Sequence, residues 1–351
     1  MTAPKCLYLL LLLTLFSAVY GQSDVKKKSI KSKNTSKVEK YTSYLFVYFI
    51  GDEKKTGKDG EEIRFALSKD GYHFKALNNN QPILDSKKIS LSGGVRDPHI
   101  LRAEDGKTFY MVATDMVSAM GWDSNRGMVL MKSTNLIDWQ STAIHVPTVF
   151  PEFSAVLRVW APQTIYDDKT KKYMVYWSMK TGNEPDKIYY AYANKDFTGF
   201  ETHPKQLFFS PTNNACIDAE IIKFKDKYHL FFKTEDQKPG IKKAVSTSLT
   251  EGYQLESDQY LQQTTDPVEG AGVFKLNNSD EWILMYDVYT KGRYQFTISN
   301  NLSDFKAIDN EVIMDFHPRH GTVMPITDRE AKALFAKWKS KEDKTPIVNK
   351  E

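Results

Sequence analysis

Cysteine is almost absent: the chain has two in 351 residues, Cys6 and Cys216. Cys6 falls in a segment expected to be removed, so the mature chain can form no internal disulfide, and stability must come from a packed core. Long hydrophobic runs are missing as well. The apolar stretch from Cys6 to Ala18 follows Lys5 and leads to small residues around Gly21. It is shorter than the ~20 residues a membrane-spanning helix needs. The pattern predicts a cleaved signal peptide over 1–21 and export to a periplasm, a cell surface or the extracellular space.

Charge of one sign is lacking too, once the N-terminus is set aside. The net charge is +4. Lys5 and the tract at 22–40, with seven Lys against Asp24 and Glu39, account for all of it and leave a near-neutral body. That excludes the basic footprint of a nucleic-acid-binding domain. The Lys/Ser-rich 22–40 segment reads as a solvated linker. Asn34, Asn277 and Asn301 stand in glycosylation sequons, which matter only in a eukaryotic host.

No long helical period interrupts the body before Asp328–Trp338. What fills it is aromatic and β-branched: 13% of residues are Phe, Trp or Tyr. A short motif recurs five times: a Ser or Asn, then a polar turn former, then an aromatic anchor. The copies are Ser68-Lys-Asp-Gly-Tyr-His-Phe74, Ser133-Thr-Asn-Leu-Ile-Asp-Trp139, Asn194-Lys-Asp-Phe-Thr-Gly-Phe200, Ser246-Thr-Ser-Leu-Thr-Glu-Gly-Tyr253 and Ser299-Asn-Asn-Leu-Ser-Asp-Phe305. Their starts are 65, 61, 52 and 53 residues apart. Each reads as a hairpin turn, preceded by strand-like runs such as Gly127-Met-Val-Leu-Met and Thr108-Phe-Tyr-Met-Val-Ala.

One strand earlier lies a third set, opening at Asp97, Trp160, Asp218, Glu269 and His320. The first copy of the repeat lacks this strand and the last such strand lacks followers. A ring resolves both: the expectation is an all-β, five-bladed β-propeller over 41–327, closed by pairing the N-terminal strands with the C-terminal strand near His320. Residues 328–351 then form a C-terminal helix and tail.

If those strands are innermost, the five opening residues converge at one mouth of the ring, and three are acids. Neighbouring carboxylates push their pKa values apart. One can then remain a proton donor while another remains a base, as glycoside hydrolysis requires. Turn capping or metal binding is the alternative for any single Asp; three acids at repeat-related positions favour the catalytic reading.

The ordered set Arg96-Asp-Pro, Trp160-Ala-Pro, Ile217-Asp218 and Val268-Glu-Gly270 resembles glycoside hydrolase family 43 over roughly Tyr41 to Thr327. The resemblance implies an inverting hydrolase that acts on a plant or microbial oligosaccharide or polysaccharide; the expectation is exo action that releases a terminal pentose or furanose. It implies Asp97 as general base, Glu269 as general acid and Asp218 as the residue that tunes the acid. It departs at Ala219 and Ala271, where many members carry Pro. An α-L-arabinofuranosidase is expected, because short insertions suggest a pocket rather than a groove. β-Galactofuranosidase and β-xylosidase activities, and a sugar-binding propeller without catalysis, are the alternatives. Invertase-like fructosidases carry an Asn-Asp-Pro and a Glu-Cys motif, both absent here.

Trp122, Trp160, Arg293, Arg319 and His320 are the expected substrate-binding residues, with Trp122 a candidate sugar platform on a mouth loop. Asp115 and Asp287 end second strands on the same face and are rim candidates. No cofactor is required by this reading. No protein metal ligand is assigned, and a structural Ca²⁺ near the axis, beside His320, is left open.

Overall fold

The computed structural model describes residues 40–51, 60–236 and 238–339. The expected signal peptide, nearly all of the linker, Asn34 and the tail beyond Lys339 lie outside the described residues.

Five small sheets form the ring as expected. Blade 1 holds β4 (Val95–Arg102), β5 (Phe109–Asp115), β6 (Gly127–Ser133) and β7 (Gln140–His145). Blade 2 holds β8 (Val156–Asp167), β9 (Lys172–Thr181), β10 (Lys187–Tyr192) and β11 (Lys205–Phe208). Blade 3 holds β12 (Cys216–Phe224), β13 (Lys227–Thr234), β14 (Gly240–Ser246) and β15 (Gln254–Leu255). Blade 4 holds β16 (Glu269–Lys275), β17 (Trp282–Val288), β18 (Arg293–Ser299) and β19 (Lys306–Ala307).

The fifth blade closes the ring. Its inner strand is β21 (Gly321–Thr327), from the C-terminal end of the propeller, and it pairs antiparallel with β1 (Tyr41–Tyr48). Outside β1 come β2 (Arg64–Ser68) and β3 (His73–Ala76). A two-residue strand, β20 (Ile313–Met314), joins the outer edge in parallel, which the sequence did not suggest. The closure removes two open sheet edges at once.

The recurring motif makes the turn between the third and fourth strands of each blade. In blade 1 the Ser133 hydroxyl accepts from the Leu136 amide at 3.0 Å, and Asn135 Oδ1 accepts from Ile137 and Asp138. In blade 4 Ser299 and Asn301 repeat the arrangement. Side-chain oxygens thus satisfy turn amides that no ladder reaches.

Hydrophobic clusters fill the spaces between neighbouring blades. Tyr44, Phe46, Phe74 and Phe316 of the closing blade, for example, pack with Phe274 and Phe296 of blade 4. The helix Asp328–Trp338 lies where the sequence placed it, started by a capping box between Thr327 and Glu330. Its Leu334 and Trp338 pack against the closing blade and blade 1.

Candidate active site

The four inner strands β4, β8, β12 and β16 share a local defect. Each slips register against its second strand, between Arg96 and His99, Trp160 and Gln163, Ile217 and Glu220, and Glu269 and Gly272. In each slip one residue has left-handed backbone: Asp97 (φ 51°), Ala161 (φ 44°), Asp218 (φ 53°) and Gly270 (φ 65°). A bulge of this kind bends the strand and re-aims consecutive side chains, here towards the mouth of the ring. Aspartate tolerates the left-handed region better than most residues. Gly270 has a further constraint, because a Cβ there would lie 2.7 Å from His320 Cγ.

This corrects one expectation. Asp97 and Asp218 do occupy equivalent positions, but their partners in blades 2 and 4 are Ala161 and Gly270. Trp160 and Glu269 stand one residue earlier, level with Arg96 and Ile217. His320 directly precedes β21, which carries no such slip at Gly321. The convergence holds nonetheless: Asp97, Asp218, Glu269, Trp122, Trp160 and His320 line one pocket.

The acids differ in their surroundings. Asp97 Oδ2 accepts from the Thr114 hydroxyl at 2.8 Å, and Oδ1 lies 3.6 Å from His320 Nδ1. The Thr114 oxygen also accepts from the Ala161 amide at 2.8 Å, which ties blade 1 to blade 2. Asp218 donates its amide to Ser178 at 3.1 Å and accepts from the Gly270 amide at 3.0 Å. Burial is the largest influence on Asp218. Opposed by His320 and reinforced by Glu269 and Asp97, it pushes the carboxyl up to about 6.

Glu269 moves the other way. Burial would raise it, but Lys233 and Arg319 together hold it below the ordinary carboxylate range. Lys233 Nζ stands 3.2 Å from Oε2, and an Arg319 nitrogen 2.8 Å from Oε1. Arg319 also bonds Asp287. Burial, partly offset by Arg319, still pushes Asp287 up to about 6.

The aromatic wall is layered. Trp122 is 57% exposed and meets Trp160 edge-on, with ring centres 6.2 Å apart. The Arg158 guanidinium lies 4.0 Å from the Trp160 ring and is held by Asp186. Arg96, bonded to Glu61, sits 5.3 Å from the Trp122 ring.

Arg293, expected to bind substrate, is not in the pocket. It opens β18, the third strand of blade 4, and lies 3.7 Å from Asp309. Two strands separate that position from the axis. Asp115 is a loop clamp rather than a rim residue, accepting from the Leu91 and Ser92 amides. Lys233 escaped the sequence reading. It pairs with Ile217 just as Thr114 pairs with Arg96, Ser178 with Trp160 and Asp287 with Glu269. The available signal was a single Lys interrupting the apolar run of Phe231-Phe-Lys-Thr. Among the described residues no group of three or more His, Cys, Asp and Glu is arranged to hold a metal. His320 and Asp97 alone do not form the oxygen-rich shell a Ca²⁺ needs.

A ring of five blades with three carboxylates at one mouth is the architecture of a class of carbohydrate-cleaving enzymes. Residues 39–332 match the glycosyl hydrolase 43-related family, described as a probable glycosyl hydrolase domain, and the chain belongs to it. An α-L-arabinofuranosidase of Bifidobacterium longum is 26% identical over 74% of this chain, which spans only 28% of that protein's length. Among solved structures, the xylan β-1,4-xylosidase of Bacillus halodurans superposes with a TM-score of 0.55 at 15% identity, over 80% of this chain and 55% of its own. An endo-1,4-β-xylanase of Bacteroides thetaiotaomicron gives 0.55 at 13% identity, over 80% and 93%. The GH43 protein BlXynB of Bacillus licheniformis gives 0.51 at 18% identity, over 82% and 55%. These likenesses establish the fold.

Proposed function

We propose that the chain is an exo-acting, inverting glycoside hydrolase that releases a terminal α-L-arabinofuranosyl residue. The observation that carries the reading is the sharing of one pocket by Asp97, Asp218 and Glu269, with Asp218 pushed up and Glu269 held down. Asp97 takes a proton from the water that attacks the anomeric carbon. Glu269 gives a proton to the departing oxygen as the glycosidic bond breaks. A bound sugar excludes water from Glu269 and competes for Lys233 and Arg319, which raises the Glu269 carboxyl towards the acid form the step needs. Trp160, backed by Arg158, offers the sugar an apolar face, and Trp122 closes the rim. The N-terminal apolar run supports export of the enzyme.

The relative described as an α-L-arabinofuranosidase supports the choice of sugar. β-Xylosides and β-galactofuranosides are the competing substrates. The cationic clamp on Glu269 favours a second reading, a carbohydrate-binding propeller without turnover, because a proton donor is needed in its acid form.

The test is release of p-nitrophenol from α-L-arabinofuranoside, β-D-xyloside and β-D-galactofuranoside, by wild type and Glu269→Gln. One aryl glycoside should be turned over, which names the sugar. Because p-nitrophenol leaves with little help from an acid, Glu269 is judged on the matching disaccharide, where kcat/KM should fall about 10³-fold in the variant; equal turnover of the disaccharide by both proteins removes Glu269 from the role of acid. Binding of arabino-oligosaccharides without turnover of any substrate selects the second reading. Proton NMR of the first-formed anomer checks inversion.

A further inference from the structure

Trp122 stands on a loop between β5 and β6, and that loop is gripped from two sides by ion pairs of unequal quality. A single 3₁₀ turn, Ser118–Met120, precedes it, followed by Gly121 with a φ of 101° that glycine alone adopts readily. Val117, the residue before the turn, offers it no side-chain cap. The first amide of the turn is taken instead by a carboxylate from another blade. Ser118 donates to Glu61, at 2.9 Å to Oε1 and 3.1 Å to Oε2.

Glu61 belongs to the closing blade, just ahead of β2, and is buried. The same Oε1 accepts from Arg96 at 2.8 Å. Arg96 in turn lies between two rings, 4.6 Å from the centre of Phe49 and 5.3 Å from that of Trp122. One carboxylate therefore holds both the turn that leads to Trp122 and the cation that packs against its ring. Main-chain bonds fix the carboxylate's own place. The Glu61 carbonyl accepts from the Val95 amide at 2.8 Å, and the Gly60 carbonyl from the Gly51 amide at 2.8 Å.

The grip on the other side is looser. Arg158 of blade 2 reaches Asp123 at 3.2 Å, but the Asp123 side chain is 52% exposed. An ion pair in water contributes little, whereas loosening Glu61 leaves a buried guanidinium without its partner. That contrast decides which grip sets the loop.

We propose that Glu61 is a positioning residue for Trp122, fixing through Ser118 and Arg96 the place at which the ring meets the sugar. The proposal rests on the hydrolase reading above, in which Trp122 closes the rim. Glu61 touches neither sugar nor reacting atoms, so its influence falls on KM more than on kcat and passes through Trp122.

Kinetics on whichever aryl glycoside the wild type turns over test this, with the full chain and its Glu61→Gln, Ser118→Pro, Asp123→Ala and Trp122→Ala variants. Glu61→Gln keeps the size of the side chain but sets an amide N–H against one of two donors. KM should rise about tenfold with kcat within about threefold. Ser118→Pro removes only the amide of the grip and leaves the buried ion pair whole. Proline is tolerated at the first position of such a turn, and Val117 before it is already extended. KM should rise about threefold, and less in Asp123→Ala. In a Trp122→Ala background neither Glu61→Gln nor Ser118→Pro should raise KM further, because the residue they place is gone. Unchanged KM in Ser118→Pro, effects that persist in full without Trp122, or a larger effect of Asp123→Ala each overturn the proposal, even where Glu61→Gln fails to fold. If the wild type turns over nothing, the hydrolase reading fails by itself, and the same cycle is read as Kd for arabinotriose by calorimetry. Losses that vanish without Trp122 retain the role; additive losses, or no binding by the wild type, overturn it.

Discussion

The two halves of the pocket are built on one backbone plan and filled in opposite ways. In blades 1 and 2 the second-strand position facing the mouth is Thr114 or Ser178, and each hydroxyl serves a neighbouring blade's amide. In blades 3 and 4 the same position is Lys233 or Asp287, and both belong to the ion-paired cluster around Glu269. Asp218 takes only an amide contact from the hydroxyl half, through Ser178, and burial with Glu269 and Asp97 raises it against His320 and Lys233. Beside Glu269 the cations Lys233 and Arg319 override burial and lower it. Two carboxyls of one pocket are thus set apart by what surrounds them.

The largest expected effect breaks the ionic half. Lys233 is 5% exposed in its side chain and faces both Glu235 and Glu269. Lys233→Met should cost about 2 kcal/mol of stability, because it leaves the half-buried Glu269 without one of its two cations. It should also raise the Glu269 carboxyl and move the alkaline limb of kcat/KM to higher pH. Urea unfolding and a pH–rate profile check the two parts. In the wild type the lowered Glu269 stabilises the fold above its ordinary 4.5, and that contribution is lost as pH falls below it. The variant should lack this acid dependence.

A smaller effect of opposite sign concerns Asp218. The folded Asp218 carboxyl sits at about 6 against an ordinary 3.8. Between those values the folded chain binds more proton than the unfolded one, so stability falls as pH rises from about 4 to about 6. Asp287 adds a slope of the same sign, so Asp218→Asn should lessen the fall in that window, by an amount of the order of 1–3 kcal/mol, without abolishing it. Unfolding midpoints at pH 4, 5, 6 and 7 measure it, and an unaltered slope would remove Asp218 as a source. The smallest effect concerns Arg293, outside both halves. Arg293→Ala should change stability by less than about 0.5 kcal/mol and leave kcat/KM within about twofold. A large loss of activity would return this residue to the pocket.

The number of blades, their order and the ring closure were legible because the turn chemistry repeats. Ser133 and Asn135, or Ser299 and Asn301, are local signals that need no tertiary context. The three acids were legible as a set for the same reason. Their register was not. Whether Gly270 or Glu269 matches Asp218 depends on which residue takes the left-handed conformation, and a pattern of residue types cannot count a bulge. Arg293 and Arg319 look alike in sequence; the order of strands within blade 4 and the closing blade separates them. Lys233 was hidden because its partners, Glu235, Glu269 and Tyr289, come from separate strands and loops.

The closing blade gives the pocket a late birth. Arg319, which bonds Glu269, and His320, which lines the pocket, directly precede β21, so both reach the site with the last inner strand of the ring to leave the ribosome. A nascent chain that has made blades 1 to 4 carries all three acids and still has no finished place to hold a sugar. Closure of the ring and completion of the pocket are one event, and a protease that clips ahead of residue 319 undoes both together.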